Sequence, residues 1–454
     1  MDQKLQLLLD TVKKLIRRGA YPNLTKVIGK THPADIAHLF PHLTPKEQQT
    51  LFNLIDDTET AASVLSELDY VSGAQLLEKI GQEAITEVLQ EMPYDDAVEI
   101  IRNMPEGIAE EILSTMKDEH SDEIEQLLKY DEDTAGGIMS TEFFCLPEDT
   151  TVQQAIEALQ QAADVEMVFY VYVVDRHNHL VGVLSLRQLL MVSPATRLKE
   201  IMVADVISVR TDKDQEEVAQ LVERYNLLAL PVVDEWNKLV GLITVDDVID
   251  VLREEATEDI YIMAGASEEE LLYGHKSFKV ARLRLPWLIT NLFGGIVTGY
   301  LMWTFKLTLE SVIALITFIP VITGMGGNVG GQSATIVVRG FATGNIDFSS
   351  LRKVFFKELR VGIIMGAVCG LTVGLVAYLW HHNIYLGMVV GLAMVSAMTV
   401  AATMGVLAPS FFKRVGIDPA IASSPFVQTA NDITGILIYF GTATLFLPFL
   451  QGGM

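Results

Sequence analysis

After residue 280 the chain carries five long apolar stretches in close succession, at roughly 284–306, 311–340, 358–380, 384–412 and 421–448. Each reaches the ~20 residues that cross a hydrocarbon core of ~30 Å. Five such runs, almost free of charge, predict five membrane-spanning helices rather than a soluble core. Charge divides the chain at the same place. Residues 1–275 hold 21 Lys and Arg against 53 Asp and Glu, and residues 276–454 hold 12 against 5. The total is −25. An acidic surface of this kind repels nucleic acid and anionic lipid and attracts cations. No nucleic-acid partner is therefore expected.

Basic residues cluster before the first stretch (Lys276, Lys279, Arg282, Arg284), between the second and third (Arg339, Arg352, Lys353, Lys357, Arg360) and between the fourth and fifth (Lys413, Arg414). Basic loops stay cytoplasmic. The three clusters agree on residues 1–275 inside and the C-terminus outside a cell (inner) membrane. The N-terminus MDQKLQLLLDTVKK is amphipathic and is not read as a signal peptide. Two cysteines, Cys145 and Cys369, exclude a disulfide framework and a Cys-type zinc site.

Residues 5–130 read as short amphipathic helices broken by HPAD, LTPKE, EMPYDD and NMPEG, which predicts a curved, superhelical α-helical N-domain over 1–130. Residues 139–252 hold an internal repeat. YVVD at 172–175 answers PVVD at 231–234, and LVGVLSLRQLL at 180–190 answers LVGLITVDDVI at 239–249, both 59 residues on. Each copy reads helix, strand, turn (RHNH or EWNK), strand, helix. This pattern resembles a tandem pair of CBS domains, an α/β fold placed at 131–245. Such domains often bind adenine nucleotides through an Asp three residues after a Ser or Thr. Thr244 and Asp247 keep that pair, whereas Ser185 and Gln188 lack the acid. Tyr170 and Arg187 can stack on and pair with a nucleotide such as ATP, or simply pack and pair at the surface.

A connecting helix is expected over 246–275. Val248, Val251, Leu252, Ile260 and Met263 form its apolar face, and Asp246, Asp247, Asp250, Glu254, Glu255, Glu258 and Asp259 its acidic one. A solvated face is the ordinary outcome, but this segment joins the soluble part to the first span.

Within the membrane part, 276–454, Asp432 is the acid far from a span end. A charge at mid-bilayer costs about 2.5–3.5 kcal/mol on insertion scales, so its retention points to use. Thr429, Asn431 and Thr434 surround it with oxygen, which suits a hard cation such as Mg²⁺, Ca²⁺ or Mn²⁺. In the second span, Pro320 and Gly324, Gly326, Gly327, Gly330 and Gly331 are expected to loosen the helix and, with Asn328 and Gln332, to line a polar path. Close helix packing is the other reading of the glycines. A symmetric dimer would set two Asp432 carboxylates across one axis.

YDEDTAGGIMS (130–140), EEATED (254–259), PVITGMGGNVGGQSAT in the second span and SPFVQTANDITG (424–435) in the fifth resemble the MgtE family of magnesium channels over essentially the whole chain. The resemblance implies a homodimer with a pore on its two-fold axis, hydrated Mg²⁺ held at Asp432, and a connecting helix that plugs the pore when Mg²⁺ draws the acidic domains together. The acids it carries over by local motif are Asp95, Asp247, Glu255, Glu258 and Asp259. Asp250, Glu59, Asp214 and Glu216 follow from less distinctive surroundings, and Glu91 is a candidate on its acidic helix. A proton- or Na⁺-coupled divalent cation transporter using Asp432 is the alternative, disfavoured by the lack of a paired repeat among the spans. A nucleotide sensor on a mere membrane anchor leaves the polar residues of two spans unexplained. No nucleophile–base pair, phosphate loop or metal-binding His motif supports an enzyme.

Overall fold

The breaks read in the sequence of the N-terminal part are helix starts. Thr44 opens the helix Pro45–Phe52: its N–H is bonded to Glu47 Oε2 at 2.9 Å, and proline occupies the first helical position. His32 precedes Pro33–Ala37, and Asp57 caps Thr58–Ser66 by accepting from Thr60 N at 3.0 Å. Short helices succeed one another up to Asp118–Leu127, and their buried sides meet around Leu24, Phe40, Leu51 and Leu65. The computed structural model describes residues 3–68, 73, 76–77, 80, 82–104, 106–162, 169–267, 270, 277–422 and 425–452. Lys276 and Ser424, singled out above, lie outside these residues, as do positions 271–275 of the connecting stretch. The chain forms two compact units, Met1–Leu252 and Arg253–Met454.

The repeat in the first unit gives two three-stranded sheets. One holds β1 (Cys145–Pro147), β2 (Tyr170–Val174) and β3 (Leu180–Ser185); the other holds β4 (Val209–Arg210), β5 (Ala229–Val233) and β6 (Leu239–Thr244). In each, the first strand runs parallel to the second and the second antiparallel to the third. The two β-turns also answer one another. Leu180 N donates to Asn237 O at 3.0 Å and Leu239 N to Asn178 O at 3.1 Å.

Each third strand ends where a side chain three residues on accepts from the backbone N–H of its last residue. Gln188 Oε1 accepts from Ser185 N at 2.8 Å, and Asp247 Oδ2 accepts from Thr244 N at 3.0 Å. The helix that follows is Leu186–Met191 in the first copy and Val245–Ala264 in the second. The connecting helix is thus the last helix of the second copy run on to Ala264, and position 245/246 falls in its first turn.

The second unit contains the helices Ser277–Thr304, Ile319–Ala342, Leu351–His381, Ile384–Val415 and Pro425–Leu445. Among the described residues four helical segments are long and apolar enough to cross a membrane, not the expected five. The fifth stretch does form a helix, of 21 residues, or about 30 Å. Gln428, Asn431 and Asp432 make it the least apolar of the set. The second helix also departs from expectation. Ile319–Ala342 is continuous α-helix through all five glycines, with Pro320 in its first turn, where a missing N–H costs nothing.

Close packing accounts for some of the glycines, although a Cβ on Gly324, Gly326 or Gly331 would meet nothing within 4 Å. A Cβ on Gly330 would run into Asn431, and one on Gly405 would lie 2.8 Å from Ser333 Cβ. Gly362, Gly366, Gly370 and Gly374, four apart on the third helix, meet the backbone of the fourth. A Cβ on Gly374 would lie 2.7 Å from Gly387 O.

Candidate cation sites

Asp95 stands in the first turn of the helix Tyr94–Arg102, and Asp247 in the first turn of Val245–Ala264. Asp95 Oδ1 is closed off from solvent and meets no hydrogen-bond donor. Burial pushes the Asp95 carboxyl well above the usual carboxylate range, and the charges of Asp96 and Asp247 push it further. Burial likewise pushes Asp247 up to about 6 against the bonds it accepts from Thr244, with Asp246 and Asp96 adding to the rise. Asp95 and Asp247 thus both lie in the field of Asp96, with Asp246 adding to it at Asp247. Such a cluster gains from a proton or from a bound cation, and an orphaned carboxylate oxygen suits a hard dication. Asp96 did not stand out in the sequence, although it adjoins Asp95 in PYDD.

Asp214 caps the helix Gln215–Tyr225, its Oδ1 accepting from Glu216 N at 2.9 Å. It borders an open cleft of about 650 Å³ lined also by Arg102, Tyr130, Asp131, Asp133 and Asp212. Burial, then Glu132 and Asp214, raise the Asp133 carboxyl there, with Arg102 opposing. Glu216 is half-buried, and Glu59, Glu91 and Asp250 are exposed on their own segments.

In the second unit Asp259 is pushed up to about 6, chiefly by burial and then by Asp418, with Arg339 opposing. Asp418 is itself raised by burial, against the bond it accepts from Ala420 N at 2.8 Å and against Lys413. Asp418 was missed in the sequence. Its signal is an acid set in an otherwise basic loop, KRVGID. On the same helix as Asp259, Glu255 is half-buried and Glu258 exposed.

The residues expected to line a path divide into two groups. Thr429 Oγ1 donates to Asn291 Oδ1 on the first helix at 3.3 Å, and Asn431 Nδ2 donates to Gly326 O on the second at 3.4 Å. Both are contacts between helices. Asn431 is buried, and its Oδ1 has no partner among the described residues. Asn328 and Gln332 lie one turn apart on an exposed face, and Gly327 approaches Gln428. Asp432 is half-buried. The structure therefore separates Thr429 and Asn431, which tie helices together, from Asn328, Gln332 and Asp432.

A second buried acid, Glu358 on the third helix, accepts from Ser333 Oγ at 2.8 Å and lies 3.5 Å from Lys357 Nζ. It stands at the edge of the apolar run and gave no sequence signal. In the CBS-like pair, Tyr170 opens β2 opposite Ser185, two residues before the exposed Arg187.

Residues 319–442 match a family described as a divalent cation transporter, residues 31–133 the MgtE intracellular N domain, and residues 135–194 and 198–254 the CBS domain. The chain is 44% identical to the magnesium transporter MgtE of Thermus thermophilus over 328 residues, 71% of this chain and 72% of that one. It is 36% identical to the magnesium transporter MgtE of Bacillus subtilis over 434 residues, 95% of this chain and 96% of that one. A crystal structure of the cytosolic domain of the Mg²⁺ channel MgtE in complex with ATP superposes with a TM-score of 0.52 at 36% identity, covering 54% of this chain and 99% of that one. The soluble part of a magnesium transporter superposes with a TM-score of 0.50 at 32% identity, covering 56% and 99%. With its N domain, CBS pair and apolar helical region matched in order, the chain belongs to the MgtE family, transporters and not enzymes.

Proposed function

We propose that this chain is a Mg²⁺-selective channel that admits Mg²⁺ across the cell membrane and closes when Mg²⁺ binds its own acidic cytoplasmic part. The observation that carries the reading is Asp432, a half-buried carboxylate in an apolar helix with no hydrogen-bond partner among the described residues. Asn328 and Gln332 present amide groups on a neighbouring helix. Mg²⁺ sheds water reluctantly, so it is selected through its hydration shell by such acceptors. One carboxylate per chain is little for a dication; a homodimer doubles it. In the proposed orientation the N-terminal domains are cytoplasmic and the C-terminus outside.

Closure follows from the acidic clusters. Two unit charges 4 Å apart interact by about 4 kcal/mol at an effective dielectric of 20. Asp95, Asp96 and Asp247 repel when bare, as do Asp259 and Asp418, and Mg²⁺ relieves both. Taking a gate from 1:99 to 99:1 requires about 5.5 kcal/mol of differential binding, within reach of several weak sites acting together. Glu59, Glu91, Asp214, Glu216, Asp250, Glu255 and Glu258 are the further acids assigned to this sensor. The relative seen with ATP makes nucleotide binding at Tyr170, Arg187 and Thr244 part of the same proposal.

The test is Mg²⁺ flux into liposomes holding the purified chain, wild type beside Asp432→Ala, with no proton or Na⁺ gradient. Passive flux that disappears in a folded variant supports the channel. Flux that appears only with a gradient replaces it by a coupled transporter, and equal flux in both removes Asp432 from the path.

A further inference from the structure

The turn between β2 and β3 reads Asp175-Arg176-His177-Asn178-His179, and its geometry is fixed by one oxygen of Asp175. Oδ1 accepts from His177 N at 2.7 Å and from His179 N at 2.9 Å, while Asn178 adopts a positive φ of 66°. The other oxygen is turned toward two imidazoles. Oδ2 lies 2.9 Å from His179 Nδ1 and 3.8 Å from His177 Nδ1. The three side chains each offer a ligand atom, and these atoms lie within 4.8 Å of one another.

The second copy of the repeat is an internal control. Asp234 Oδ1 accepts from Trp236 N at 2.9 Å and from Lys238 N at 2.8 Å, and Asn237 has a φ of 64°. The same turn is therefore built without any imidazole. The backbone accounts for Asp175 and Asn178 but makes no demand for histidine at 177 and 179. Lys238, bridged to His179 through the backbone, makes no ion pair with Asp175 among the described residues.

We infer that Asp175, His177 and His179 form a binding site for a borderline first-row dication, Zn²⁺ foremost, separate from the all-oxygen Mg²⁺ clusters. Donors about 2.0–2.1 Å from a tetrahedral zinc stand about 3.3 Å apart. The two separations measured from Asp175 Oδ2, 2.9 and 3.8 Å, bracket that value. Two imidazoles and one carboxylate favour Zn²⁺, Ni²⁺ or Co²⁺ over Mg²⁺. The site faces solvent, so water completes the coordination and binding in the micromolar range is expected.

The test is calorimetric titration of ZnCl₂ into the detergent-purified full-length chain, stripped of metal and held in excess MgCl₂ so that carboxylate-only sites are filled. The expected result is one Zn²⁺ per chain, weakened at least about tenfold by His177→Ala or His179→Ala. Trp236→Ala and Lys238→Ala, at the matching positions of the second copy, should leave it unchanged. The His177 side chain is 77% exposed, so its removal does not threaten the fold. Absence of a one-per-chain step in the wild type, or the same step at the same affinity in the double histidine variant, overturns the inference. In that outcome the pairing of His179 with Asp175 only closes the turn.

Discussion

The side-chain amide of Asn431 fills the space that a Cβ on Gly330 would need, while its Nδ2 donates to the carbonyl of Gly326 one turn earlier. The second and fifth helices are therefore joined at a point where one side must stay bare for the other to be polar. Gly330→Ala should displace Asn431 and cost about 1–3 kcal/mol, as overpacking commonly does. The measurement is the melting temperature of the purified chain in detergent. Gly299→Ala, which meets nothing within 4 Å, should leave it unchanged or slightly higher.

Asp247 binds its proton more tightly folded, at about 6, than unfolded, near 3.8. The folded state then takes up protons between these values, so this contribution to stability is present below pH ~4 and is lost as pH rises through ~6. Asp95, raised in the same field, adds to the effect. Without Mg²⁺, Asp247→Asn should raise the melting temperature of the full chain at pH 7.5 and flatten its dependence between pH 4 and 6. It should also shrink the stabilisation produced by Mg²⁺. An unchanged Mg²⁺ response would remove Asp247 from the proposed sensor.

Asp418 raises the carboxyl of Asp259 and keeps its own bond to Ala420 N. Asp418→Asn can retain that bond and drop the charge. On the proposed gating, closure should then require at least about fivefold more Mg²⁺ on the sensor side. Single-channel recording at graded Mg²⁺ reads the shift directly, and an unaltered midpoint would exclude Asp418 from closure.

Ser333 gives the buried Glu358 its short bond within the helical unit. Ser333→Ala leaves a buried acceptor short of a donor and should cost about 1–3 kcal/mol. Glu358→Gln keeps an oxygen for Ser333 and should melt much closer to wild type than Glu358→Ala. Equal losses in the two Glu358 variants would show that the charge, not the bond, matters there.

Much of the architecture was legible because it rests on periodicity. The 59-residue repeat reappears strand for strand, with Tyr170 and Ala229 opening equivalent strands and Ser185 and Thr244 closing them. The apolar runs became helices. What the sequence left open was the work of the glycines. A Gly-rich run reads equally as loosened backbone or as room for a neighbour; the position of Asn431 against Gly330 decides for packing at that glycine, while a Cβ on Gly324, Gly326 or Gly331 would meet nothing within 4 Å. Asp418 and Glu358 were hidden for a related reason. Each is a single acid whose surroundings come from residues distant in the chain, Asp259 for one and Ser333 for the other. The N-domain acids were legible as a class, but which of them are short of partners depends on burial, as Asp95 and the exposed Glu59 illustrate.

The third and fourth helices meet backbone to backbone along Gly362, Gly366, Gly370 and Gly374, with Gly387 and Gly391 opposite. Little beyond the Ala402 methyl and the Val395 side chain lies between them at these glycines, so in mechanical terms they form a plank of double thickness. Any rearrangement of this unit has fewer moving parts than helices. A plank that stays whole leaves displacement to the second and fifth helices, which carry Asn328, Gln332 and Asp432. A side chain forced into the plank would act as a wedge, altering how the unit moves without touching a single polar group.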